Sequence, residues 1–96
     1  MRIRSLTTRQ LAILGLLCKQ ERTKEECCEA LRLGSYDITK VQRTIGQLKK
    51  MGLVKNSVHG SLRYSITDDA LRLYGAFSGR HIDVELAAAE VWQWYA

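Results

Sequence analysis

The stretch 37–54, DITKVQRTIGQLKKMGLV, decides how the rest of the chain is read. On a helix of 3.6 residues per turn, Ile38, Val41, Ile45 and Leu48 fall on one stripe at spacings of three, four and three. Thr39, Lys40, Gln42, Arg43, Gly46, Gln47 and Lys50 fall mainly on the opposite side, which carries no acid. Lysine, arginine, glutamine and threonine are the side chains that bond phosphates and base edges. Asp37 stands where an N-cap is expected, and Gly52 where a left-handed stop is expected. Leu53 and Val54 then open a strand. A helix with one apolar face and one donor-rich, acid-free face suits the major groove of duplex DNA. The plain alternative is a solvated surface helix, and the flanking sequence has to decide between them.

On the N-terminal side, Thr7-Thr8-Arg9-Gln10 spells a capping box. It predicts a helix to about Lys19 whose apolar residues, Leu11 to Leu14 and Leu16 to Cys18, nearly encircle it. Such a helix is buried on more than one side, either centrally in one chain or against a second copy. Ile13 and Leu17 are its candidates for a contact between copies. Thr23-Lys24-Glu25-Glu26 is a second capping box, opening a helix over about 24–32 with Cys27, Ala30 and Leu31 inward. The acids Glu25, Glu26 and Glu29 favour its N-terminal dipole. Helix, turn and donor-faced helix (about 38–51) in this order make a helix-turn-helix.

On the C-terminal side, Leu53–Val58 and Leu62–Ile66 read as two strands of a β-hairpin, with Leu62, Tyr64 and Ile66 alternating onto one face. His59-Gly60-Ser61 supplies the turn, and Gly60 is the residue free to take a positive φ. Lys55, Asn56, His59 and Arg63 are placed to meet a phosphate backbone or a minor groove. Thr67 then caps a helix with Asp68 and Asp69 in its first turn, with Ala70, Leu71, Leu73, Tyr74 and Phe77 inward and Gly79 as its stop. A final helix from about Asp83 is strongly apolar. Val84, Leu86, Val91, Trp92, Trp94 and Tyr95 either pack it on the first helix or form a seam with a second copy, and the seam is the favoured reading.

The chain has 96 residues, enough for a single domain with one core. Its formal net charge of +5 is unevenly spread: +7 over residues 1–56 and −2 over residues 57–96. Between Asp37 and Asp68 there is no acid, while Lys40, Arg43, Lys49, Lys50, Lys55 and Arg63 contribute six positive charges. This is an electrostatic footprint for a polyanion. No basic face is interleaved with exposed tryptophan or phenylalanine as an interfacial membrane helix requires. The run 11–18 is too short to span a bilayer, and a cytoplasmic protein is expected.

Catalysis is not expected. His59 and His81, the only histidines, have no triad-like neighbours, and no glycine-rich phosphate loop is present. Cys18, Cys27 and Cys28 lack metal or C-x-x-C redox spacing. They read as small core residues, with a thiol-switched regulator as the alternative. No metal, cofactor or small-molecule effector is indicated.

The run Val41-Gln42-Arg43-Thr44-Ile45-Gly46-Gln47-Leu48-Lys49-Lys50-Met51-Gly52-Leu53-Val54 resembles the winged-helix signature of MarR- and PadR-like transcriptional regulators, V-x-R-x-(apolar)-x-x-L-x-x-x-G-L-V. Tyr64-Ser65-Ile66-Thr67-Asp68-Asp69 is similar to the same families' passage from wing strand to helix. The match covers about residues 6–78. It departs in a short wing, in cysteines where the second helix usually has Leu-Ala, and in having no long effector-binding region. The resemblance implies a mainly α fold with a small β-hairpin: a winged helix-turn-helix over residues 1–79 with an extra C-terminal helix, 80–96, for dimerisation. It further implies a homodimer on a pseudo-palindromic operator, recognition helix in the major groove and wing over the flanking minor groove. By position Thr39, Lys40, Gln42 and Arg43 face the groove, with Gln47, Lys49 and Lys50 beside them. Lys55, Asn56, His59, Gly60 and Arg63 belong to the wing. A winged helix that docks on another protein without reading DNA is the alternative.

Overall fold

The computed structural model describes residues 6–33, 37–60, 62–74 and 84–94, and of residues 73, 74, 84, 85 and 94 the backbone alone. The element order is α1 (Thr8–Lys19), β1 (Arg22–Thr23), α2 (Lys24–Ala30), α3 (Ile38–Lys50), β2 (Val54–Asn56), β3 (Arg63–Ile66), α4 (Asp68–Tyr74) and α5 (Val84–Trp94). This is a winged helix-turn-helix: α2 and α3 form the helix-turn-helix, and β2 and β3 the wing. Among the described residues no helix is long and apolar enough to cross a membrane.

Local chemistry sets the helix ends. Thr7 Oγ1 accepts from the Gln10 amide at 3.2 Å, and the Gln10 side chain accepts from the Thr7 amide at 3.1 Å. Thr23 and Glu26 repeat the reciprocal box at 3.1 and 3.0 Å. α3 ends in a Schellman turn. Leu53 N–H donates to the Leu48 carbonyl and Gly52 N–H to the Lys49 carbonyl, both at 3.0 Å, with Gly52 at φ +77°. α2 ends in the same pattern, but the left-handed residue is Arg32 (φ +57°), while Gly34 lies outside the described residues. Asp37 does not cap α3 with its side chain: its backbone is helical, and the carboxylate turns to Lys40 at 3.7 Å.

The sheet has three antiparallel strands in the order β1-β3-β2. Arg22 pairs with Tyr64, and Asn56 also pairs with Tyr64 on the other side. The two-residue β1 carries no alternation to betray it, so the sequence pattern yields only the hairpin. The wing strands are shorter than their apolar runs. Ser57 N–H donates to the Arg63 carbonyl at 2.8 Å and closes the ladder, leaving Val58, His59, Gly60 and Leu62 among the described residues at the tip. The pattern puts the positive φ of this turn on Gly60; in the fold it falls on Leu62, at +69°. Gly60 answers a different need, because a Cβ there would come within 3.2 Å of the Arg63 Cδ. Leu62 is exposed rather than inward, since it lies beyond the last ladder bond.

One core joins the helices. Ile13, Leu14, Leu16, Cys27, Leu31, Val41, Ile45, Leu48, Leu53, Ala70 and Trp92 are buried in it. Val41, Ile45 and Leu48 are the predicted stripe of α3, with Ile38 packed at its edge. The buried Thr44 donates its hydroxyl to the Lys40 carbonyl at 2.9 Å and so stays satisfied within its own helix. Leu71 is exposed, not inward. The side chains of Leu73 and Tyr74, and all of Phe77 and Gly79, lie outside the described residues.

The position of α5 corrects the expected seam at three of its residues. It packs along α1 in the same chain, and Ile13, Leu17 and Trp92 are 0%, 3% and 1% exposed. These three residues have no surface left for a second copy. Leu86 is exposed and Val91 half-buried on the same helix. The side chains of Val84 and Trp94, and all of Tyr95, lie outside the described residues.

Candidate nucleic-acid interface

Burying Val41, Ile45 and Leu48 turns the opposite face of α3 outward. Thr39, Lys40, Gln42, Arg43, Gln47, Lys49 and Lys50 are all exposed there. Gly46 sits in the middle of the same face, one helical turn from Gln42, Arg43, Lys49 and Lys50. A Cβ at Gly46 would meet no atom within 4 Å.

The wing adjoins this face. Lys49 Nζ donates to the Asn56 Oδ1 at 3.1 Å and lies 5.8 Å from the centre of the Tyr64 ring. Lys55 and Asn56 are exposed on β2, so the basic surface runs from α3 onto the wing without an intervening acid.

Two of the expected wing residues turn elsewhere. The Arg63 guanidinium donates to the Glu21 carbonyl and pairs with the Glu26 carboxylate, each at 3.2 Å. His59 Nδ1 lies 3.3 Å from the Glu21 Oε1, and the Ser57 hydroxyl donates to the Glu21 Oε2 at 2.7 Å. These contacts tie the wing to the loop between α1 and β1. The Ser57 hydrogen bond, with His59 and Arg63 nearby, holds the Glu21 carboxyl below its ordinary range. The Thr23 amide does the same for Glu26, helped by Arg63. Arg63, partly exposed beside the wing tip, thus ties the wing to the helical body rather than standing as an open donor at its edge.

A part of the site that sequence reasoning missed lies at the start of α1. A cleft of about 360 Å³ separates it from α3, lined by Thr7, Thr8 and Arg9 on one side and Lys40, Arg43 and Gln47 on the other. Gln10 Nε2 donates to the Gln47 Oε1 at 3.0 Å across the two helices. The cleft brings three cations together. Arg9 also stacks 5.0 Å from the centre of the Trp92 ring. The sequence did hold one signal. A cation in the first turn opposes the helix dipole, and α1 has no acid there to offset it.

Cys27 and Cys28 lie in the core and Cys18 packs against it. Burial raises the thiol pKa of all three, that of Cys27 to about 12. Among the described residues, no group of histidine, cysteine or acidic side chains is arranged to hold a metal ion.

Among solved structures, the chain is similar in fold to a mutant form of ZitR from Lactococcus lactis. The TM-score is 0.66 at 22% identity, over 96% of this chain and 61% of that one. The chain therefore spans less than two thirds of that protein's length. No protein-family model and no curated protein sequence matches it.

Proposed function

We propose that this chain is a regulator of transcription that binds duplex DNA, with α3 in the major groove and the wing beside the adjoining backbone. The observation that carries this reading is the exposed, acid-free face of α3, continued onto the wing through the Lys49–Asn56 contact. Its likeness in fold to ZitR is in keeping with it. Gln42 and Arg43 stand where base edges are read, glutamine toward adenine and arginine toward guanine. Lys40, Lys50, Lys55 and Arg9 supply salt-sensitive phosphate contacts, Arg9 and Lys40 from the two walls of the cleft. A homodimer on a pseudo-palindromic site goes with this reading. Because Ile13, Leu17 and Trp92 lie inside their own chain, the contact between copies falls to the outward side of α5, where Leu86 is exposed.

The test is binding to a random-sequence duplex across a salt series. The log–log slope is expected to show several phosphate contacts, at about −0.9 for each. Lys40→Ala/Arg43→Ala is expected to weaken binding and flatten the slope by about 1 for each phosphate that is no longer neutralised. An absence of binding at low salt overturns the reading and leaves the basic face to a protein partner.

A further inference from the structure

The tip of the wing is built unlike the rest of the basic surface. Val58 and Leu62 are 88% and 75% exposed, the most open large apolar side chains among the described residues. Both lie in the loop beyond the Ser57–Arg63 ladder bond. Leu62 also holds φ at +69°, a region that residues with bulky side chains rarely adopt. Its side chain is not packed, so burial within the chain does not compensate this strain. Strain of this kind gathers where a ligand is met. The polar side chains beside the tip are engaged elsewhere, His59 with Glu21 and Arg63 with Glu26. Apart from the exposed His59 ring, what the described residues of the tip present outward is aliphatic.

We propose that Leu62, together with Val58, is an apolar wedge that enters the minor groove of duplex DNA and presses on a base step. The inference rests on the DNA-binding reading and sharpens it: the contact at the wing tip is made by hydrocarbon, not by charge. Charge complementarity names the occupant. The tip lies within the acid-free span between Asp37 and Asp68, follows β2 with its Lys55 and the Asn56 that Lys49 bonds, and has its nearest acid, Glu21, already engaged by Ser57 and His59. That span attracts a polyanion and brings the tip to its groove. Leucine is among the side chains that unstack a base step from the minor groove, kinking the duplex toward the major groove. Pyrimidine–purine steps yield most easily, so the wedge favours sites carrying TA or CA/TG at the wing position.

The experiment compares wild type, Leu62→Gly and Val58→Ser/Leu62→Ser on random-sequence duplex by fluorescence anisotropy, with the bend read by energy transfer between labelled duplex ends. Leu62→Gly relieves the positive φ, so its melting temperature is expected to hold or rise. That separates the loss of the wedge from the loss of the fold. Both variants are expected to bind about 10-fold more weakly and to bend the duplex less. Their salt slope is expected to match wild type, because every phosphate contact is kept. Unchanged affinity and bend, while Lys40→Ala/Arg43→Ala still weakens binding, overturns the wedge and leaves the DNA reading standing. A flattened slope also overturns it, by placing phosphate contacts at the tip. If the variants lose self-association by sedimentation but bind DNA as wild type does, the tip is a protein contact and the wedge is overturned. If wild type binds no duplex, the underlying reading fails first.

Discussion

Single residues show where the chain departs from what its own stability favours. Gly46 stands inside the thirteen-residue α3, where glycine costs about 0.5–1 kcal/mol relative to alanine. No neighbour crowds the place of its missing Cβ, so the fold does not require it. On the proposed DNA-binding reading, the requirement lies on the outward face, where a backbone approaching a groove leaves no room for a methyl group. Gly46→Ala is therefore expected to raise stability by about 0.5–1 kcal/mol in urea melts while weakening duplex binding. Equal or tighter binding would show that the glycine has no part in the interface. Cys27 makes the opposite case, a reactive group kept from reacting. Its thiol is fully buried and its pKa stands at about 12, so little thiolate forms near neutral pH. Iodoacetamide is expected to leave Cys27 unmodified in the native protein and to label it in urea. Rapid native labelling would restore the thiol-switch alternative.

At the scale of elements, the pairing of α1 with α5 decides how the core is shared. Trp92 is closed off inside the chain and carries the Arg9 guanidinium on its ring. Trp92→Ala is expected to cost about 3–5 kcal/mol. Because the contact is intramolecular, that loss should not vary with protein concentration. A loss that shrinks as concentration rises would return Trp92 to a seam between copies. The same element shows what sequence can and cannot disclose. The stripe of α3, both capping boxes and Gly52 were legible because each is a local pattern read from residues at most four positions apart. The apolar character of α5 was legible too, but hydrophobicity names no partner. The choice between α1 and a second copy depends on chain geometry beyond any local window. β1 stayed hidden because two residues cannot show an alternation. Arg63 was read as an open wing cation because its acceptors, Glu21 and Glu26, lie some forty positions upstream. The cleft between Thr8 and Arg43 is likewise a product of tertiary packing.

Across the whole molecule, two carboxylates add to the β1–β3 pairing and the core contacts that hold the wing to the helical body, and that makes its attachment sensitive to acid. Glu21 receives the Ser57 hydroxyl and faces His59, and Glu26 pairs with Arg63. Both carboxyls titrate below the ordinary value of 4.5 in the folded chain. A depressed carboxyl pKa means that the folded state holds its proton less tightly than the unfolded state. The stability it contributes is then full above about pH 4.5 and disappears as pH falls through the folded value. The net charge is already +5 near neutrality. Protonating acids raises it further, so self-repulsion works in the same direction. Stability is therefore expected to be flat from pH 7 to about pH 5 and to decline below 4.5, as urea midpoints at successive pH values would show. The decline should begin at the wing, with amide exchange at Ser57 and Arg63 quickening before that of the α1 and α3 core. Glu21→Gln keeps a hydrogen-bonding side chain without the titrating proton, so it should lower stability at pH 7 and flatten the acid limb. If that variant follows the wild-type pH profile, the Glu21 contacts do not hold the wing, and the acid response belongs to charge repulsion alone.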